Sequence, residues 1–463
     1  MHYPWWYVPH MTAPMLIAAI SVVHVLVSHY AVGGGLFLAI ETDFAYKSKN
    51  PGYLDYLRSH AKFFILITVV FGAITGVGIW WTIALASPLA TELLIRTFVF
   101  GWAMEYAFFV LELVAAFIFY YYWGRLAPKT HTRIGYIYAF AAWMSLVLIT
   151  GITGFMLSPG PWLAERNNFW IAFLNPQCIP QIIARTGGAL LLSSLYVYLH
   201  SSLAVKDRQL HDLIQARSAR PALLGSILIT AGGLAWYFTL PESARAVLAS
   251  AAVLNVFMGL IFALTVAVFL LLYLGPYRNP GWLTPGFAGA LLILGIAAFS
   301  TGEFIREAVR KPYVIYNVVF GNQIYPEQVV QLRRTGYLEG GLWTRAFVQA
   351  NYPQAVKDGK IDEKVLRQLP DQDQIRLGEV LFQYHCNDCH AAQAGYSAVA
   401  PMIRGHTPTM IRTMIEHLDQ AHFFMPPWAG TPDEAELLTR YLTSIAPPRP
   451  RGMAPAATAM ETH

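Results

Sequence analysis

The chain has 463 residues, 56% hydrophobic and 13% charged, with a formal net charge of +5. Soluble globular proteins carry about a quarter charged residues, so a wholly soluble chain is excluded and most of this one must sit in lipid. The positive excess is dispersed between apolar runs rather than gathered into a basic face, which excludes a nucleic-acid partner.

Eight apolar stretches come first along the chain, each close to the roughly 20 residues a helix needs to cross the hydrocarbon core. They fall at about 13–40, 62–86, 96–122, 134–157, 180–204, 220–240, 247–274 and 283–304. Met1 to Met11 has no basic n-region and no small-residue cleavage site, so the first stretch reads as a retained anchor. Connections after the odd-numbered spans carry Lys47, Lys49, Arg58 and Lys62, then Arg125, Lys129 and Arg133, then Lys206, Arg208, Arg217 and Arg220, then Arg278. The alternate connections carry Arg96, Arg166 and Arg245. Positive charge marks the cytoplasmic side, so the N-terminus and the C-terminal part are expected in the periplasm of a bacterial inner membrane.

Ionisable side chains in hydrocarbon are costly, which makes each a functional candidate. Span one holds His24 and His29, span three Glu105 and Glu112, span five Arg185 and His200, and span eight ends at Glu303, Arg306, Glu307 and Arg310. Glu105 and Glu112 are two helical turns apart and share a face, as a proton relay or a carboxyl pair with one member protonated would. His24 and His29 stand about 140° apart around the helix, so they cannot both bind one iron. His29 and His200 both fall towards the cytoplasmic half, where they are candidates for another haem.

From residue 305 the chain reads as ordinary polar protein. Tyr313 to Gln368 reads as an exposed linker with the length for a partner surface, carrying Arg333, Arg334, Tyr337 and Trp343. Beyond it, Cys386-Asn387-Asp388-Cys389-His390 puts two thiols within one helical turn, where they can add to the vinyl groups of one porphyrin while the adjacent imidazole binds iron. A zinc site would want another Cys or His pair at short spacing, and the third cysteine, Cys178, is far away and reads as packing. One covalent haem c is expected.

The surrounding region, about 371–446, resembles a small class I cytochrome c domain. Asp373 to His385 is helical in pattern, with Gly378 and Phe382 placed to meet a C-terminal helix at Tyr441. Pro401 resembles the proline that braces the proximal His. Met425, in Phe-Phe-Met-Pro-Pro-Trp, resembles the family's thioether ligand, with Met402, His406, His417 and His422 as rivals. A Met ligand raises the haem potential, which suits an electron relay. The Pro-rich tail is expected to be disordered.

Four segments of the membrane part resemble subunit I of the cytochrome bd quinol oxidases. His24, seventeen residues before Glu41-Thr42, resembles the first-helix haem ligand, and Gly72-Ala73-Ile74-Thr75-Gly76 resembles a second-helix Gly-Val-Ala-Thr-Gly. Glu112, eleven residues before Trp123, resembles a third-helix proton-path glutamate, with Glu105 one residue from the position of its companion. Glu307-Ala308-Val309-Arg310-Lys311-Pro312-Tyr313 resembles a Glu-x-Gly-Arg-Gln-Pro-Trp signature, which implies an iron ligand or neighbour at Glu307 and a propionate clamp at Arg310.

The chain also departs from that family. Arg185-Thr186 stands where a low-spin haem His is expected, and Met258 is the candidate for its companion Met. The long loop between spans six and seven is reduced to about Pro241–Arg245, and the ninth helix is replaced by the linker and the haem c domain.

The expected fold is all-α: a polytopic transmembrane helix bundle of about eight spans plus a small all-α cytochrome c domain. Its parts are a membrane domain at 1–312, a periplasmic linker at 313–370, a cytochrome c domain at 371–446 and a tail at 447–463. The resemblance implies a multihaem oxidoreductase with one haem c and one to three b-type haems, with haem d also open. It also implies a periplasmic donor such as a soluble cytochrome, a second membrane subunit or larger respiratory complex, and dioxygen as acceptor. The alternative is a non-catalytic conduit between periplasmic cytochromes and quinone or a partner complex.

Overall fold

The computed structural model describes residues 6–447, and helix dominates them. The tail expected to be disordered lies, beyond Pro447, outside the described residues. Eight helices among the described residues are long and apolar enough to cross a membrane: Ala13–Lys47, Pro51–Ala86, Val99–Tyr121, Pro128–Leu157, Cys178–Ala204, Arg208–Phe238, Ala252–Tyr277 and Pro285–Ala308. They are the eight expected, but several begin earlier than their apolar cores. Span two starts at Pro51, where the Asn50 side chain accepts from the Tyr53 amide at 3.0 Å. Asn at the cap and Pro at the first position are strong start signals. Span six starts at Arg208 behind an Asp207 cap, and span seven starts at Ala252, after a separate short helix over Glu242–Ser250.

Close backbone approach fixes the bundle. Spans five and six meet at Gly187 and Gly225, where a Cβ on Gly187 would lie 2.6 Å from the Gly225 carbonyl oxygen. Such small-residue seams supply the packing that lipid solvent does not drive. In span one a Cβ on Gly33 would run into the Ala189 carbonyl of span five, and one on Gly35 into the Tyr138 ring of span four.

The chain divides into two compact units. One comprises Ala18–Trp81 and Thr91–Arg310; the other comprises the described residues up to Ile17, Thr82–Ala90 and those from Lys311 onward. In the latter, helix Asp371–His385 packs on helix Pro432–Ile445. Gly378 lets the two backbones touch near Leu437 and Tyr441, and the Phe382 and Tyr441 rings lie 5.7 Å apart.

The segment read as an exposed linker, 313–370, is corrected by the structure. It forms a two-stranded hairpin (Tyr313–Ile315 with Val319–Phe320) and short helices whose Phe320, Leu332, Tyr337, Val348 and Leu366 share one core with Leu377, Leu381 and Leu438. Tyr337, expected at the surface, is fully buried, and Arg333 donates to the Trp428 carbonyl at 3.2 Å. The Glu434 carboxylate closes this core by accepting from the amides of Tyr337 at 2.8 Å, Leu338 at 2.7 Å and Thr431 at 3.1 Å.

Candidate haem sites

The Cys386–His390 motif follows the last turn of helix Asp371–His385. The amides of Cys389 and His390 both donate to the Cys386 carbonyl, at 3.1 and 2.9 Å, so the two half-buried thiols and the imidazole share one turn. Burial pushes both thiols up to about 12, so each is a neutral S–H at pH 7. His390 Nδ1 donates to the Ser397 carbonyl at 2.8 Å, which fixes the tautomer and leaves Nε2 as the metal-binding nitrogen. The carbonyl holding the imidazole belongs to Ser397 and not to Pro401, because the loop after the motif turns back through Gly395 and Ser397 at positive φ.

Buried polar atoms beside the motif fit a haem. His385 Nδ1 accepts from the Tyr337 hydroxyl at 2.8 Å and from the Asn322 side chain at 3.1 Å, so its proton sits on Nε2. That Nε2 and the Trp428 Nε1 are buried without an acceptor among the described residues, and the two rings lie 5.1 Å apart. Two orphaned N–H donors are what haem propionates would satisfy. Burial, helped by His390, pulls His385 down to about 3 and keeps it neutral. Met425 is half-buried, whereas Met402 and His417 are exposed. His406 keeps a buried Nδ1 without a partner among the described residues, and His422 lies within electrostatic reach of His390.

Two of the segments singled out in the membrane part meet. His24 Nδ1 lies 3.0 Å from Thr75 Oγ1, and a Cβ on Gly76 would come 3.1 Å from the imidazole. The single Thr75 O–H is directed to the carbonyls of Phe71 and Gly72, so Thr75 accepts from His24 Nδ1–H and His24 Nε2 keeps its lone pair. His29 is presented in the same way: Nδ1 bonds the Val25 carbonyl at 2.7 Å, and Nε2 is buried without a partner among the described residues. The His29 ring stands edge-on to Phe299 of span eight at 4.8 Å.

Charged groups of span eight gather near His29. Glu303 pairs with Arg306 at 2.8 Å, and both lie within electrostatic reach of Arg185 of span five, as His29 does of Arg185 and Glu303. Glu307 pairs with Arg310, whose Nη1 contacts Met156 Sδ at 3.7 Å and whose buried Nε has no partner among the described residues. Met258 packs instead in an apolar cluster with Leu157, Leu240, Leu254 and Ile305.

Glu112 accepts from the Tyr138 hydroxyl at 2.9 Å and lies within electrostatic reach of Glu105. His29 and His200 do not meet. The His29 ring packs beside Gly188, and His200 is twelve residues further along span five, about 18 Å at 1.5 Å per residue. The partner of His200 is His60, missed by hydropathy because 51–61 is too polar to read as membrane helix; the Asn50-Pro51 start signal could have found it.

Eight spans, a Cys-x-x-Cys-His turn and a buried imidazole whose Nε2 has no partner among the described residues fit a membrane-integral protein of the haem-based electron-transfer class. Residues 13–236 match the family model described as cytochrome bd terminal oxidase subunit I, and residues 373–442 match the one described as cytochrome c oxidase, cbb3-type, subunit III. The chain therefore joins a cytochrome bd subunit I domain to a C-terminal cytochrome c domain of cbb3 type. The chain is similar to a solved structure of the bd oxidase from Geobacillus thermodenitrificans, at 17% identity and a TM-score of 0.57, over 72% of this chain and 89% of that one. That likeness shows a shared fold. Curated proteins yield no match.

Proposed function

We propose that this chain is a membrane-bound electron-transfer subunit of bd-oxidase type, in which the C-terminal domain takes electrons from an external donor and the bundle uses them to reduce dioxygen. The observation that carries this reading is a His390 imidazole locked by Ser397, beside two thiols on one turn, in a chain whose 13–236 segment matches bd subunit I. Haem groups, when bound, supply the one-electron carriers and the oxygen-binding iron.

The residues take distinct parts. Cys386, Cys389, His390 and Met425 would hold a covalent haem c, and His385 and Trp428 would donate to its propionates. His24, His29 and Glu307 would hold b-type haems, and Arg306 and Arg310 would pair with their propionates. Glu112, held by Tyr138, and Glu105 pass protons. The charge bias of the connections supports a periplasmic N-terminus and cytochrome c domain; a soluble cytochrome as donor and a second membrane subunit as partner complete the reading.

A pyridine-haemochrome count of the purified protein, with oxygen consumption driven by reduced cytochrome c, tests the proposal. One haem c, at least two b-type haems and oxygen uptake that is lost in Glu307→Ala are expected; one b per c, or no uptake, contradicts it. The second reading, a conduit that passes electrons to quinone or a partner complex, is favoured by the end of the subunit I match at residue 236, before the Glu307 segment. Haem reduction without oxygen uptake selects that reading.

A further inference from the structure

A buried imidazole pair lies apart from the residues assigned to haem above. His200 Nδ1 of span five is 3.2 Å from His60 Nδ1 of span two, and His60 Nε2 is 3.1 Å from the Tyr30 hydroxyl of span one. Tyr30 and His60 are fully buried, whereas His200 is half-buried and four residues from the end of span five at Ala204, just before Lys206 and Arg208. Tyr56 stacks on His60 at 5.8 Å and Phe63 on His200 at 5.2 Å, so aromatic walls fix the pair. At the other end, the Phe64 ring stands edge-on to Tyr30 at 5.3 Å and to Tyr138 at 5.6 Å, and Tyr138 is the residue that holds Glu112.

We propose that His200, His60 and Tyr30 form a proton relay from the charged end of span five to the buried Tyr138–Glu112 pair. Two neutral imidazoles with facing Nδ1 atoms can bond only if one carries the proton and the other the lone pair. The chain then has two registers. In one, Tyr30 donates to His60 Nε2 and His60 Nδ1 donates to His200; in the other, His200 Nδ1 donates to His60 and His60 Nε2 donates to Tyr30.

A shift between registers moves one proton through the chain. The proton arrives at His200 Nε2, the His200 Nδ1 proton passes to His60 Nδ1, the His60 Nε2 proton passes to Tyr30, and the former Tyr30 hydroxyl proton passes to water on the inner side, which carries it to the Glu112 carboxylate. One proton enters, one leaves, and no group stays charged. A metal site is a poorer account of the pair, because no group of three or more His, Cys, Asp or Glu side chains able to hold an ion occurs among the described residues.

The destination rests on the proton role proposed for Glu112; the relay itself is tested by reduction rather than by oxygen chemistry. In the purified full chain, the membrane haems are photoreduced in weak buffer with a pH-indicating dye, and the rate of proton uptake is followed. His200→Ala and Tyr30→Phe are expected to slow uptake by about a hundredfold or more, the low end for loss of a positioned proton-transfer group, with haem content unchanged. Added imidazole should restore the rate in His200→Ala, which a structural histidine would not show. Unchanged uptake in both variants, or no uptake on reduction of the wild type, overturns the relay. Absence of oxygen consumption would instead overturn the oxidase reading and leave this test in force.

Discussion

The C-terminal unit and the membrane unit position their imidazoles by opposite means. His390 is fixed by its own neighbourhood in sequence: both cysteines lie within four residues and its Nδ1 acceptor, Ser397, seven residues on. In the bundle, His24 is held by Thr75, 51 residues away, and His60 by Tyr30 and His200, 30 and 140 residues away. A local site survives drift elsewhere in the chain, whereas a distributed one depends on every helix seam. Substitutions at the first should therefore act on the haem, and substitutions at the second on packing and proton movement together.

The largest effect tests locality. Replacing Cys386 and Cys389 together by Ser should leave no haem that resists acid-acetone extraction, while the membrane haem absorbance stays; loss of both would show the sites to be interdependent. Next comes Glu434→Ala, which strips the acceptor from three buried amides and should destabilise the C-terminal unit by about 3 kcal/mol or more, read by thermal loss of the haem c Soret band.

The same carboxyl gives a pH signature. Burial raises Glu434 to about 7 from an ordinary 4.5, against the pull of its amide donors. The folded state therefore holds the proton more tightly than the unfolded state does. This contribution to stability is full below about pH 4.5 and is lost as pH rises through about 7, a trend that Glu434→Gln should flatten.

Gly395→Ala should cost about 1–3 kcal/mol, because φ is +110° and the added methyl meets the His10 carbonyl, which accepts from Tyr396 at 2.9 Å. A shift in the haem c midpoint potential would show the strain reaching Ser397 and His390. In the bundle, Gly187→Ala should part spans five and six at a cost of about 1–3 kcal/mol, read as a lower melting temperature in detergent. Arg440→Ala, at a solvent-exposed pair with Asp371 at 3.1 Å, should change stability by less than about 1 kcal/mol.

The spans and the Cys386–His390 turn were legible because each depends on local composition or on five consecutive residues. The core of 313–370 was not, because its apolar residues have no period and find partners far along the chain, as the Tyr337 amide does in Glu434, 97 residues away. Span one displayed both of its histidines. Which nitrogen each presents depends on Thr75 and the Val25 carbonyl, and only the folded helices reveal those.

The central claim is that electrons enter the membrane haems through the cytochrome c domain, and stopped-flow reduction by an external reduced cytochrome tests it most directly. In the wild type, haem c should reduce first and the b-type absorbance should follow; in Met425→Ala and His390→Ala, the b-type haems should stay oxidised although dithionite still reduces them. Reduction of the b-type haems at the wild-type rate in either variant would contradict the account.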